Sequence, residues 1–173
     1  MPQVIIIAGP NGAGKTTFAN CYLVGPRARF AFVNADEIAR EVGHRDLRPQ
    51  SADVRAARIM LERIDNLVAA GGDFAFETTL ATLSYAQKIP RWRQSGYVVS
   101  LVYLRLPSLE ASIARVRRRV EAGGHDIPEE IIRRRFGKSP AYFENFYKSI
   151  VDRWYIWESA EGDFALAESW DRE

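Results

Sequence analysis

Lys15, Thr16 and Thr17 follow a glycine-spaced turn, Gly9-Pro10-Asn11-Gly12-Ala13-Gly14, which ends a β-branched run begun at Val4. The order is G-x-x-x-x-G-K-[ST], in which glycines let backbone N–H groups turn onto phosphate oxygens with no Cβ in the way. A helix opening near Lys15 adds its unpaired N–H groups and positive dipole end to the same anion site. On this pattern residues Gly9 to Thr17 cradle the phosphates of a nucleoside triphosphate, Lys15 bridges the β- and γ-phosphates, and the Thr16 hydroxyl sits on Mg²⁺. A bare strand–turn–helix joint requires neither Lys15 nor Thr16.

Two further polar clusters end apolar strands. Arg29-Phe30-Ala31-Phe32-Val33 runs into Asn34-Ala35-Asp36, and Asp73-Phe74-Ala75-Phe76 runs into Glu77-Thr78-Thr79. In an open parallel sheet the ligand crevice lies beyond the carboxyl ends of the strands, so Asp36 stands where a reacting group belongs. It is equally placed, with Asn34, to cap the helix through Arg40. Glu77 and its hydroxyl neighbours suit a sugar or a hydrated Mg²⁺; the alternative is a helix cap by Thr79 or Thr82. His44 has no second His or Cys at ligand spacing and reads as a surface residue.

Arginines crowd a third region. Between Ser108 and Ala122, Leu109, Ile113, Val116 and Val120 form one helical stripe. At roughly 100° per residue, Arg115 and Arg119 share one flank of it, Arg117 lies on the other and Arg118 faces away. Gly123-Gly124-His125-Asp126-Ile127 interrupts the helix, Pro128 starts the next one, and Arg133, Arg134 and Arg135 follow. Two arginine-bearing helices joined by a glycine hinge, residues 108–136, read as a lid over a triphosphate; the plainer reading is a solvated basic pair.

These groups need a scaffold of alternating strands and helices. The first helix runs from Lys15 to Tyr22 with a stop at Gly25-Pro26. A long helix, capped by Ser51, spans Ala52 to Ala70, and a helix interrupted at Pro90 follows the third strand. Tyr97 to Leu104 is a strand covered on both faces. A separate aromatic helix is expected after Ser139, then a last parallel strand at Trp154-Tyr155-Ile156-Trp157 and a short closing strand, Phe164 to Ala167. The turn at Glu158-Ser159-Ala160 offers a place for the adenine. Such alternation predicts an α/β fold built on a parallel sheet.

The chain has 173 residues, 47% apolar and 27% charged, with a net charge of +2, as one ordinary domain over 1–173 should. Its single cysteine, Cys21, is expected to be a buried thiol on the first helix, and a reducing, cytoplasmic compartment fits. No run is long enough for a membrane span. No aromatics interleave with the arginines as a single-strand nucleic-acid platform needs, so nucleic acid is not the expected partner.

The P-loop, Asn34-Ala35-Asp36 and Phe76-Glu77-Thr78-Thr79 together resemble the zeta toxin family of P-loop kinases. They look still more like the short, stand-alone zeta-toxin-like ATPase proteins of bacteria. In that branch the lid is similar to Arg115-Val-x-x-Arg119-Val-x-x-Gly-Gly-His125-x-Ile-Pro128, then Ile132 and Arg134-Arg135-Phe136. The resemblance implies a nucleoside-kinase-like P-loop NTPase, a three-layer sandwich with a helical lid. It implies transfer of the γ-phosphate of ATP, with Mg²⁺, to a hydroxyl of a sugar or a nucleotide sugar such as UDP-N-acetylglucosamine. By the same likeness Asp36 is the general base, Glu77 and Thr79 contact substrate, and Arg115 or Arg119 reaches the γ-phosphate. The toxins' second catalytic arginine falls near His125, which passes its role to Arg134 or Arg135 and leaves His125 beside substrate. An antitoxin protein is the implied partner. Two other classes fit the P-loop: an ATP-binding switch with slow hydrolysis, and a kinase of polynucleotide ends.

Overall fold

The computed structural model describes residues 1–23, 30–43, 49–161 and 163–172. The stop at Gly25-Pro26, Arg29 and His44 fall outside the described residues.

Six strands form one sheet in the order β2-β3-β1-β4-β5-β6. They are β1 (Gln3–Ala8), β2 (Ala31–Val33), β3 (Phe74–Thr78), β4 (Val98–Arg105), β5 (Arg153–Ser159) and β6 (Phe164–Asp171). All neighbouring pairs are parallel except β5–β6, which is antiparallel. β1 is flanked by β3 and β4, so the chain order reverses at β1 and opens a crevice at its carboxyl end. That is where the glycine-rich turn lies.

Helices cover both faces. One core packs Ile6, Phe74, Phe76 and Leu101 of the sheet under Ile38, Met60, Ile64 and Trp92; the other packs Ile7, Val102 and Leu104 under Phe18 and Ala19. The first group comes from α2 (Ala35–Gly43), α3 (Pro49–Ala69) and α4 (Ile89–Gln94), and the second from α1 (Lys15–Leu23). The result is the α/β fold on a mostly parallel sheet that the alternation predicts, in the three layers that the resemblance implies.

A third apolar cluster belongs to α5 (Leu109–Glu121) and α6 (Glu129–Tyr142). Ile113 and Val116 meet Ile132, with Leu109, Val120 and Ile127 around them. Ser108 caps α5 by accepting the Ala111 N–H at 3.1 Å. Its far end is a Schellman motif: Gly123 at φ 88° donates to Val120 O, and Gly124 to Arg119 O. The glycine pair is therefore a formed cap.

Several expectations need correction. α3 starts at Pro49, so Ser51 lies inside its first turn. Residues 81–88 form turns, and Pro90 opens α4 where a missing N–H costs nothing. No break follows Ser139: α6 runs through Pro140 and widens into a π turn over Phe143–Tyr147 before a last short turn, Lys148–Ile150. β6 is longer than the closing strand expected. Cys21 is exposed. Among the described residues no helix is long and apolar enough to cross a membrane.

Candidate active site

Between Ala8 and Lys15 the chain turns with Gly12 and Gly14 at φ 78° and 81°, the left-handed region where a side chain is strained. A Cβ on Gly12 would also stand 3.0 Å from the Ser112 carbonyl oxygen. The Lys15 ammonium folds back over the loop, donating to Gly9 O at 3.1 Å and Pro10 O at 3.0 Å. Burial lowers its pKa below that of an ordinary lysine. The Glu77 and Asp36 carboxylates oppose that shift, and the Arg119 and Arg135 cations add to it.

Glu77 sits inside β3, one residue before its end and in register with Ile7. The parallel pairing that buries this strand brings its carboxylate beside the start of α1. There the Thr16 hydroxyl donates to Oε1 at 3.0 Å and Oε2 at 3.1 Å. Burial raises the Glu77 pKa, while Lys15 and the Thr16 hydrogen bond pull it down. The hydroxyl and carboxylate together suit a hydrated Mg²⁺ whose other ligands come from phosphate. Just past the strand, Leu80 adopts φ 57° with its side chain fully buried. Its N–H goes to Thr78 Oγ1 at 3.1 Å, which fixes the bend carrying Thr79.

Asp36 lies in the first turn of α2, and the cap is Asn34. The Asn34 Oδ1 accepts the Asp36 N–H at 2.8 Å, and its carbonyl accepts the Ile38 N–H at 3.1 Å. The Asp36 carboxylate is thus left to the crevice, where Arg119 Nη1 approaches Oδ2 at 3.9 Å. Arg119 Nη2 holds His125 O at 3.0 Å, and its Nε is buried without a hydrogen-bond partner among the described residues.

Arg115 lines the same space, but its guanidinium reaches Gly12 O at 3.4 Å, Ser159 Oγ at 2.9 Å and Ser159 O at 3.0 Å. Three arginines of the hairpin bridge outward: Arg117 and Arg133 to Glu129, and Arg118 to Glu161.

One cleft of about 460 Å³ gathers most of the candidates. Asn11, Gly12, Gly14, Lys15, Thr16 and Thr17 face Asp36, Glu77 and Thr79, with Arg115, Arg119, His125 and Arg135 on the hairpin side. Gly9, Pro10 and Ala13 are buried behind the loop, and Arg134 is exposed away from the cleft. Sequence reasoning missed Ser112, whose hydroxyl donates to Asn11 O at 2.6 Å; Ser159, expected in a turn that offers a place for the adenine, instead ends β5, buried, and donates to Ala13 O at 2.9 Å. Ser112 left a signal, a polar residue one position from the apolar stripe of α5; no spacing in the sequence ties Ser159 to the loop. Tyr85 and Met60, from the far wall, were missed too. Among the described residues no group of three or more His, Cys, Asp or Glu side chains gathers as a metal site.

The family model described as an AAA domain, AAA_33, matches residues 4–144. A protein of Haemophilus influenzae with no characterised role is 28% identical over 134 residues, 78% of this chain and 92% of that one. Among solved structures, the PezAT toxin–antitoxin system of Streptococcus pneumoniae is 19% identical with a TM-score of 0.70, covering 98% of this chain and 72% of that one. AvrRxo1-ORF1:-ORF2, solved with ATP, is 15% identical with a TM-score of 0.76, covering 98% and 58%. A gluconokinase of Sinorhizobium meliloti is 16% identical with a TM-score of 0.57, covering 92% and 84%. At these identities the likeness is one of fold, a central mostly parallel sheet with helices on both faces.

Proposed function

The chain belongs to the AAA domain family AAA_33, and from that premise we propose that it is an ATP-dependent small-molecule kinase. In this reading residues 1–173 are one kinase domain, α5 and α6 are its lid, and the acceptor is a hydroxyl of a sugar or nucleotide sugar. The observation that carries it is the meeting of Lys15, the Thr16–Glu77 pair and the Asp36–Arg119 pair in one cleft.

ATP is a substrate, its triphosphate held by the loop from Gly9 to Thr17. Mg²⁺ held through Thr16, with Glu77 behind it, supplies neutralisation of the phosphate charge. Asp36 takes the proton of the acceptor hydroxyl as its oxygen bonds to the γ-phosphorus and the bond to the ADP oxygen breaks. Lys15, Arg119 and Arg135 balance the charge that spreads over the transferring oxygens. Arg119 starts paired to Asp36, so substrate entry exchanges that contact for one to phosphate. Thr79 and His125 border the acceptor side, and Arg134 has no part.

An antitoxin partner belongs to the same proposal, supported by the fold likeness to PezAT. The cytoplasm is the compartment it requires. The test is transfer from γ-labelled ATP to UDP-sugars, free sugars, aminoglycosides and oligonucleotide ends, with Asp36→Asn beside the wild type. Label on a sugar or nucleotide sugar, lost at least a hundredfold in Asp36→Asn with ATP affinity kept, is the expected result. Phosphate released only to water supports the switch protein instead, and label on oligonucleotide ends supports the polynucleotide kinase.

A further inference from the structure

Three consecutive carbonyls of the phosphate loop are held by side chains from outside it. Ser112 Oγ donates to Asn11 O at 2.6 Å, Arg115 Nη1 to Gly12 O at 3.4 Å and Ser159 Oγ to Ala13 O at 2.9 Å. Ser112 is fully buried and Ser159 nearly so. Arg115 and Ser159 are joined as well, through the hydroxyl at 2.9 Å and the carbonyl at 3.0 Å. The tethers therefore form one network reaching from α5 and the end of β5 to the back of the loop.

Peptide geometry gives the network a consequence. In a trans peptide the C=O and the following N–H point in opposite directions. Fixing the carbonyls of Asn11 and Ala13 on the α5–β5 side turns the N–H groups of Gly12 and Gly14 the other way, into the cleft. The Ala13 N–H closes a turn onto Pro10 O at 3.2 Å. Alternating left-handed glycines are the backbone form that makes such donors converge on an anion. We propose that Ser112, Arg115 and Ser159 are positioning residues that hold the loop carbonyls outward and so aim its N–H donors at the phosphates of a bound nucleotide.

This rests on the kinase reading only in taking the ligand to be ATP. It gives Arg115, on the cleft wall, a task at the loop carbonyls, while Arg119 pairs with Asp36 across the cleft. It also makes phosphate affinity depend on α5 and on β5, elements far from the loop in sequence.

Calorimetric titration of the full chain with MgATP and with AMP tests the proposal, alongside Ser112→Ala, Ser159→Ala and Arg115→Met. Each substitution is expected to weaken ATP about tenfold, the scale of one hydrogen bond, and to leave AMP unchanged. Ser159→Ala combined with Arg115→Met should lose less than the product of the single losses, because the two groups share one tether. Melting curves establish that each variant is folded at the temperature of titration. If Ser112→Ala does not fold, Ser159→Ala, at a strand end, carries the same comparison. Variants that bind ATP as the wild type does, or that lose ATP and AMP in equal measure, overturn the positioning role and leave nucleotide binding intact. A wild type that binds no ATP overturns the nucleotide reading itself.

Discussion

Glu77 carries its charge where β3 is buried, and it accepts a hydrogen bond there from the Thr16 hydroxyl. Because burial raises its pKa above the ordinary 4.5, the native protein binds that proton more tightly than the unfolded chain does. Ionising Glu77 then costs native stability at neutral pH, and the cost vanishes as pH falls into the usual carboxylate range. Glu77→Gln, which keeps the shape and removes the charge, is expected to unfold at a higher urea concentration than the wild type at pH 7. The gap should close as the pH is lowered towards 4. A wild type as stable as the variant at pH 7 would show instead that Lys15 fully compensates the carboxylate. The same substitution weakens one acceptor of the Thr16 hydroxyl, so the gain in stability should come with weaker Mg²⁺-dependent ATP binding. Asp36 is different: Asn34 does the capping, so Asp36→Asn should leave the stability of α2 within about 0.5 kcal/mol.

The elements that carry these groups were legible where local chemistry decides them. Val4 to Thr17 reads as strand, turn and helix; the Leu109, Ile113, Val116, Val120 stripe reads as a helix; Gly123-Gly124 reads as a stop. Each follows from residues within a few positions of one another. What escaped reading was either non-local or a choice between local rules. The hydrogen bonds from Ser112 and Ser159 to the loop span more than a hundred residues of chain, and no spacing rule reports them. Pro140 is a helix breaker by rule, yet α6 accepts it, because the π turn beyond it and the packing of Phe143 and Tyr147 outweigh one missing donor. Two glycines of the hairpin make the point testable. A Cβ on Gly124 would meet Arg119 Cγ at 2.6 Å and the Arg119 carbonyl oxygen at 2.8 Å, whereas one on Gly137, within α6, would meet nothing within 4 Å. Gly124→Ala is expected to destabilise by about 1–3 kcal/mol and to shift Arg119 away from Asp36. Gly137→Ala should stabilise by about 0.5–1 kcal/mol through helix propensity alone. Chemical denaturation of both variants checks the pair, and a loss at Gly137 would contradict the open surroundings of that site.

Across the whole molecule, the face of the sheet under α3 and α4 is joined to the end of α6 by buried tyrosines. Tyr103 of β4 shares a hydrogen bond with Ser139 at 2.9 Å, and Tyr147 in the π turn donates to Thr82 O at 2.7 Å. Tyr103 also stacks on Phe143 with ring centroids 4.5 Å apart. Burial pushes both phenols from 10.0 up to about 12. An acid whose folded pKa is raised keeps its proton in the native state after the unfolded chain has lost it. Stability is therefore unaffected below pH 10 and falls as the pH rises from 10 towards 12, by about 1.4 kcal/mol per pH unit for each group. These tyrosines bind the sheet to the long helix, so their ionisation should release that face as one cooperative unit. The expected result is an alkaline unfolding transition above pH 10 in which tyrosinate absorbance and the loss of helical signal rise together. Tyr147→Phe should make the pH dependence shallower by one group's share, while Tyr155→Phe, on an exposed hydrogen bond to Asp171, should change it far less. If tyrosinate appears well before the helical signal falls, the phenols titrate in the native state, and their burial does not govern the alkaline limit of the fold.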